Sequence, residues 1–458
     1  MQQFREGRPD GAAEAAQALR REQVDGVILS LVDTSGVNRV KTVPVERLEH
    51  AVAWGVGMSP VFDVFLTDDV PIETDHFGGP DGDLRLVPDL SALTVLAGQP
   101  GWAWAPVDRY SQDGAPYALC QRQYAADVAD RAAQAGLEIR AAIEIEWAVG
   151  DEDEDGGFRP ACSGPAYGMN RLVELSAYAR DVLAALQREG VPVEQVHPEY
   201  AEGQFEVSVA ATDVVGAADR SVLVRQTIRA VSAAHGVRVS FSPSVVPGHV
   251  GNGGHIHLSA WADGRNVFAG GGRRYGMTDT GEAFAAGILA ELPALCAVGA
   301  PTPASYLRLV PSHWAGAFAC WGHETREAAL RFVTGMTGNR DRAANLEIKC
   351  FDLAANPYLL LGSLAATGLA GVQAGLDLPE EVQGDPGLLD EHRAAELGVR
   401  RLPQSLPEAV TRLAESKVVR DALGEAQFEV VHAVRQAEAT RFDGASAEEI
   451  AAALRWVY

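Results

Sequence analysis

The stretch AAIEIEWAV, residues 141–149, has the alternation of a β-strand and is apolar everywhere except at Glu144 and Glu146. Two residues apart on an extended chain, these carboxylates point to the same face, roughly 7 Å from one another. Like charges so placed repel, and burying either one unpaired is costly. A fold that keeps this strand inside must supply something to neutralise them.

Three more segments pose the same problem. In HPEYAEGQFEVSV (197–209), Gln204, Glu206 and Ser208 alternate with Phe205, Val207 and Val209, and Glu199 lies just upstream. In GNGGHIHLSA (251–260), His255, His257 and Ser259 share one face while Ile256 and Leu258 share the other. In ANLEIKCFD (344–352), Glu347 and Lys349 have apolar neighbours. Five carboxylates and a histidine or two on apolar strands persist only among cations. Oxygen-rich donors with an occasional imidazole suit Mg²⁺ or Mn²⁺ and disfavour zinc. The ligands are too many for one ion and imply two or three, an arrangement that commonly clamps a nucleoside triphosphate.

Arginines complete the pattern. RLVPSHW (308–314), TREAALRF (325–332) and DRAANLE (341–347) carry Arg308, Arg326, Arg331 and Arg342. A guanidinium presents a fixed fork to carboxylate or phosphate oxygens. Arg326 and Arg331 read as lying in an apolar strand, whereas Arg340 and Arg342 also suit a surface. On residues alone, this is a metal-dependent enzyme that handles phosphoryl groups and a carboxylate.

The rest of the chain limits the alternatives. A formal net charge of −24 argues against nucleic-acid and anionic-membrane partners and suits a binder of cations. Five cysteines without a C-x-x-C pair read as reduced packing residues of a cytoplasmic protein. The N-terminus, MQQFREGRPDGAAEAAQALRRE, is too polar for a signal peptide. The uncharged run 358–376 has the length of a membrane span, but its Gly, Ala and Ser content reads as a buried helix. No P-loop, no G-x-G-x-x-G after a strand and no G-x-S-x-G is present.

Residues 12–24 read as an amphipathic helix and 24–44 as a hairpin around a D-T-S-G turn. The turn DGAP (113–116) marks a boundary between residues 1–113 and 114–458. In the larger part, helices over 122–138, 168–189, 213–235 and 279–299 are interspersed with short strands. A small β-rich unit ahead of a large mixed one makes the fold class α+β.

The ordered motifs resemble the glutamine synthetase family, in its bacterial type I-like branch. E-x-E (144–146), H-x-E with G-Q-x-E (197–206), G-x-G-x-H-x-H-x-S (251–259), S-Y-x-R-L-V-P (305–311), R-x-x-x-x-R (326–331) and E-x-K-x-x-D-x-x-A-N-P-Y (347–358) follow the family order. The resemblance implies a small N-terminal β-grasp domain and a large catalytic domain with a curved antiparallel sheet. It also implies active sites between subunits of a homo-oligomeric ring, hexameric or dodecameric. Glu146, Glu199 and Glu206 would hold one ion; Glu144, His255 and Glu347 would hold another. Glu194, His257, Ser259, Arg331 and Arg342 match nucleotide positions. Gly251 and Arg308 match positions for the glutamate backbone, and Arg326 and Lys349 flank the transferred phosphoryl group. The implied reaction joins the γ-carboxylate of L-glutamate, activated by ATP as γ-glutamyl phosphate, to a nitrogen nucleophile.

The sequence departs from the family where ammonium would bind. A family glutamate shortly after R-L-V-P is Trp314 here, and an aspartate-bearing F-D-G-S-S segment reads GVGMSPV (55–61), with Ser59 nearest. Loss of both anions favours an organic amine over ammonia, since tryptophan offers an apolar surface and a π-face. A neutral-tailed amine such as ethanolamine or a short alkylamine is the expectation, with a polyamine second, unless loops bring Asp63, Asp68 or Glu73 close. The rivals are a true glutamine synthetase and a non-catalytic structural or regulatory relative, which would have shed metal ligands.

Overall fold

Strand β1 (Gly26–Val32) runs antiparallel to β2 (Asn38–Pro44) across the D-T-S-G turn, as the sequence predicts. Asp33 closes the turn by accepting from Val37 N at 2.9 Å and from Arg39 Nε at 2.8 Å. Gly36 has φ +81°, and a Cβ there would lie 1.9 Å from Ala354 O, so the turn presses on the larger unit in a way only glycine allows. The computed structural model describes residues 11–458; part of the polar N-terminus therefore lies outside the described residues.

β3 (Val56–Met58), β4 (Leu84–Pro88), β5 (Thr94–Val95) and β6 (Trp102–Tyr110) complete a six-stranded sheet in which β6 lies parallel to β1. Its buried face (Val27, Leu29, Leu86, Ala103, Ala105) meets Leu19 of the helix Ala12–Arg21 and Leu48 of the helix Leu48–Trp54. This is the β-grasp arrangement.

The larger unit holds two sheets. β7 (Glu138–Ile143) belongs to an eight-stranded sheet with β12 (Thr212–Asp213), β14 (Ile256–Ala262), β15 (Arg265–Asn266), β16 (Phe318–His323), β17 (Ala328–Val333), β18 (Asn345–Ile348) and β19 (Arg400–Arg401). β8 (Ile145–Glu152) belongs to a five-stranded sheet with β9 (Phe158–Pro160), β10 (Val193–Pro198), β11 (Gln204–Val209) and β13 (Arg238–Ser240). The single strand expected over 141–149 is therefore two. The chain changes sheets at Glu144, whose N–H leaves both ladders and donates to His255 O at 2.9 Å.

Helices cover these sheets. Trp147 is fully buried on β8, with its indole N–H donating to Tyr178 Oη at 2.9 Å. The run 358–376 forms the helix Pro357–Ala374, buried within the protein as expected. Among the described residues, one helix, Asp279–Gly299, is long and apolar enough to cross a membrane, and 83% of its most apolar window is buried. All five cysteines are buried and unpaired. Arg326 lies ahead of β17 rather than in it and is exposed, because the strand begins at Ala328.

Candidate active site

Register decides where the polar side chains meet. Across β10, β11 and β8, His197 stands opposite Glu206 and Glu206 opposite Glu146. Across β14, β18 and β17, His257 stands opposite Glu347 and Glu347 opposite Arg331. The two rows come from different sheets and line one cavity of about 680 Å³, with Glu144 at the seam between them. Like charges directly opposite on paired strands destabilise a sheet. Glu206 against Glu146 is such a pair, and both are buried.

Each carboxylate has been given partners by the fold. Glu144 Oε1 accepts from His257 Nε2 and its Oε2 from His255 Nδ1, both at 3.1 Å. Burial alone would raise the Glu144 carboxyl, but these two imidazoles hold it well below the usual range. Glu347 Oε1 accepts from Lys349 Nζ at 2.9 Å and its Oε2 from Arg331 Nη1 at 2.8 Å. Burial would raise its carboxyl, but the charges of Lys349, His257 and His255 outweigh it and hold the group low too. Glu146 Oε2 accepts from Gln204 Nε2 at 2.9 Å and from Gly253 N at 2.8 Å. Glu199 has less help: burial, then the charge of Glu146, push its carboxyl up to about 7. It accepts from the Tyr167 hydroxyl.

The histidines differ in kind. Arg308 Nη2 donates to His255 Nε2 at 3.1 Å, which leaves His255 Nδ1 as the N–H facing Glu144. His257 donates from both nitrogens, to Glu144 and to Asn345 Oδ1 at 2.9 Å. Burial would lower its pKa, but the bond to Glu144 and that charge carry it to about 9.

This donor set fits divalent cations. Carboxylate oxygens of Glu199 and Glu206 with a nitrogen of His197 lie within 4.8 Å of one another, as do those of Glu144 and Glu347 with His257. His255 Nδ1 is 3.1 Å from Glu144 and 3.7 Å from Glu347, and its Nε2 is 3.7 Å from Glu146. The six carboxylate and histidine positions expected to bind metal therefore converge, and His197 and His257 join them.

Other expected residues divide. Arg308 is buried with its Nη1 unpartnered, a donor aimed at no protein group. Gly251 and Gly253 permit a close backbone approach: a Cβ at 251 would sit 1.9 Å from Pro243 O, and one at 253 would sit 2.7 Å from Arg308 Nη2. Arg326, Arg331, Lys349 and Trp314 line the cavity. Four expected residues are absent from its wall. Glu194 and Gln195 are both exposed, and at the register shift between Val193 and Gln195 it is Gln195 that lines the cavity. The Ser259 hydroxyl is engaged by Trp261 Nε1 at 2.9 Å. Arg342 is exposed on the four-residue helix Arg340–Ala343. Ser59 caps the 3₁₀ turn Pro60–Val64. Of the acidic residues considered near the amine, Asp63 pairs with Arg109 and Asp68 with Arg441, and neither they nor Glu73 line the cavity.

Sequence reasoning singled out Trp314 but missed its aromatic neighbours. Tyr167 and Tyr200 line the cavity, and the Tyr200 ring lies 4.7 Å from that of Trp314. Their partnership depends on a loop meeting a distant turn, which no spacing reveals.

Residues 118–451 match the family profile described as glutamine synthetase, catalytic domain. The chain belongs to the glutamine synthetase family. It is a ligase of that family, with the α+β fold its sequence leads one to expect. It is 59% identical to a gamma-glutamylpolyamine synthetase, GlnA3, of Streptomyces coelicolor, over 99% of this chain and 98% of the relative. It is 30% identical to a glutamine synthetase of Thermococcus kodakarensis over 87% of the chain and 86% of the relative. Among solved structures, a "novel glutamine synthase homolog" superposes with TM-score 0.85 at 29% identity, covering 95% of this chain and 99% of that one. A GmaS/ADP complex superposes with TM-score 0.83 at 26% identity, covering 94% and 97%.

Proposed function

We propose that this family member is a γ-glutamylpolyamine synthetase, joining the γ-carboxylate of L-glutamate to a primary amine of a polyamine at the expense of ATP. The observation that carries it is the amine-side wall of the cavity. Where the family has an ammonium-binding glutamate stands Trp314, packed on Tyr200, in a chain 59% identical to a protein named for that activity. This reading replaces the expectation of ethanolamine or a short alkylamine. A π-face attracts an ammonium group as well as methylenes, so a wall without carboxylates does not turn away a second charged amine.

In this reading Glu146, Glu199 and Glu206 hold one Mg²⁺, and Glu144, His255 and Glu347 hold a second, with Mn²⁺ as the alternative metal. When bound, these ions would neutralise triphosphate charge and polarise the transferred phosphoryl group. The chain's own residues do the rest. Arg308, with its unpartnered Nη1, and the Gly251 backbone hold the substrate's α-carboxylate and amine end. Arg331 and His257 face the nucleotide, and Arg326 and Lys349 stabilise charge as the γ-carboxylate attacks the γ-phosphate. The amine nitrogen then displaces phosphate from γ-glutamyl phosphate. Intact donor positions argue against a non-catalytic relative.

We divide the chain into an N-terminal β-grasp domain, 1–113, and a catalytic domain, 114–458. The resemblance supports a homo-oligomeric ring with shared sites; Ser59 would then enter a site only from a neighbouring copy. A cytoplasmic location fits this metabolic role. The test is ADP release with glutamate and a panel of ammonia, ethanolamine, short alkylamines, a diamine, a triamine and a tetraamine. A polyamine is expected to give the highest kcat/KM; ammonia or ethanolamine leading would overturn the proposal.

A further inference from the structure

Tyr200 and Trp314 are exposed aromatic rings on rigid supports. Tyr200 is 44% exposed and Trp314 42% exposed, yet the backbone N–H of each is hydrogen-bonded to a carboxylate. Tyr200 N donates to Glu199 Oε2 at 2.8 Å. Buried Arg171 Nη1 binds the carbonyls of Glu199, Tyr200 and Ala201, at 2.8, 3.2 and 2.7 Å, knitting that turn together. On the opposite side Trp314 N donates to Glu327 Oε1 at 2.7 Å, and Ser312 Oγ to Asp385 Oδ2 at 2.7 Å. Ser312 and Trp314 both have left-handed φ, 59° and 56°, a conformation uncommon outside glycine and held only when the surroundings enforce it.

We propose that Tyr200 and Trp314 form an aromatic platform on which the methylene chain of the acceptor amine lies, and that Glu327 is the positioning residue that holds Trp314 in it. The inference rests on the polyamine reading and deepens it. Apolar surface exposed at a substrate cavity and fixed in place is a binding surface. The two rings pack on each other, 4.7 Å between centroids and tilted by 52°, so together they present one continuous aromatic surface along which an alkyl chain can lie, and their outer faces attract an ammonium group that follows it. The platform reads length: each methylene it covers adds binding free energy, about two- to four-fold in kcat/KM.

The test is the ratio of kcat/KM for long over short amines, across linear mono-, di-, tri- and tetraamines. In the unaltered protein the ratio is expected to rise with chain length. Tyr200→Ala and Trp314→Ala are each expected to flatten it at least five-fold, and Tyr200→Phe to preserve it. Glu327→Ala is expected to flatten it as Trp314→Ala does. Glu327→Gln is expected to restore it, because the amide oxygen still accepts from Trp314 N. Length dependence that survives in Tyr200→Ala and Trp314→Ala overturns the platform while leaving the polyamine reading intact. Ammonia or ethanolamine leading in the unaltered protein overturns that reading and the platform with it.

Discussion

Gln204 Nε2 lies 2.9 Å from Glu146 Oε2, and the same amide group donates to Gly251 O at 3.1 Å and Asn252 Oδ1 at 3.0 Å. One side chain thus ties a proposed metal ligand to the loop proposed to hold glutamate. Residues that orient ligands from behind typically account for 10- to 100-fold in affinity or activity. Gln204→Ala is expected to lower kcat/KM for glutamate by about that factor. An unchanged glutamate KM and kcat would separate the two features.

The facing acids Glu206 and Glu146 predict a metal effect that is independent of turnover. Protein stripped with EDTA should gain several degrees in Tm on addition of Mg²⁺, since a ligand of the folded state alone stabilises it by mass action. Glu206→Gln relieves the repulsion and removes a ligand, so its Tm without metal should be higher and its gain with Mg²⁺ smaller. An equal gain in both proteins would place the ion elsewhere.

Asp63 and Arg109 form a buried pair at 2.7 Å, and Arg109 also donates to Leu119 O and Gln121 Oε1. Breaking one side of such a pair leaves a buried charge uncompensated, at about 3 kcal/mol or more. Asp63→Asn should lower the unfolding free energy by that order in denaturant titrations. The order of preference among amines should not change, which distinguishes a structural acid from an amine-binding one.

Asp33 gives a pH dependence with a defined sign. Burial pushes its carboxyl from 3.8 up to about 6, although Arg39 and Val37 N pull the other way. The folded state holds this proton more tightly than the unfolded chain does. The contribution to stability is complete below 3.8 and is lost as pH rises through about 6. Asp33→Asn, which does not titrate, should therefore gain about 1 kcal/mol on the unaltered protein between pH 5 and pH 8. A stability difference that is flat across that range would contradict the assignment.

Periodicity located most elements because alternation and helical spacing are local. The hairpin at β1 and β2, the strand face bearing Glu206 and the helix Asp279–Gly299 follow from neighbours in sequence. The strand break at Glu144 does not, since it depends on a carbonyl 111 positions away, that of His255. Glu194 stays off the cavity wall for a related reason: at the register shift beside it Gln195 is the side chain that lines the cavity, and composition is blind to such a shift. The convergence of the acids and histidines was legible because buried charge must be paired wherever the strands lie. Trp314 was legible by its departure from the family motif, but its partner Tyr200 was not, because it is an ordinary surface residue until two loops meet.

The hydrogen bond that fixes position 314 comes from the main chain, not from the indole. The loop therefore keeps its shape whichever side chain it displays, and the ring is a replaceable fitting on a permanent bracket. A new nitrogen donor could be accommodated by exchanging that one fitting, with the phosphoryl chemistry beneath it undisturbed.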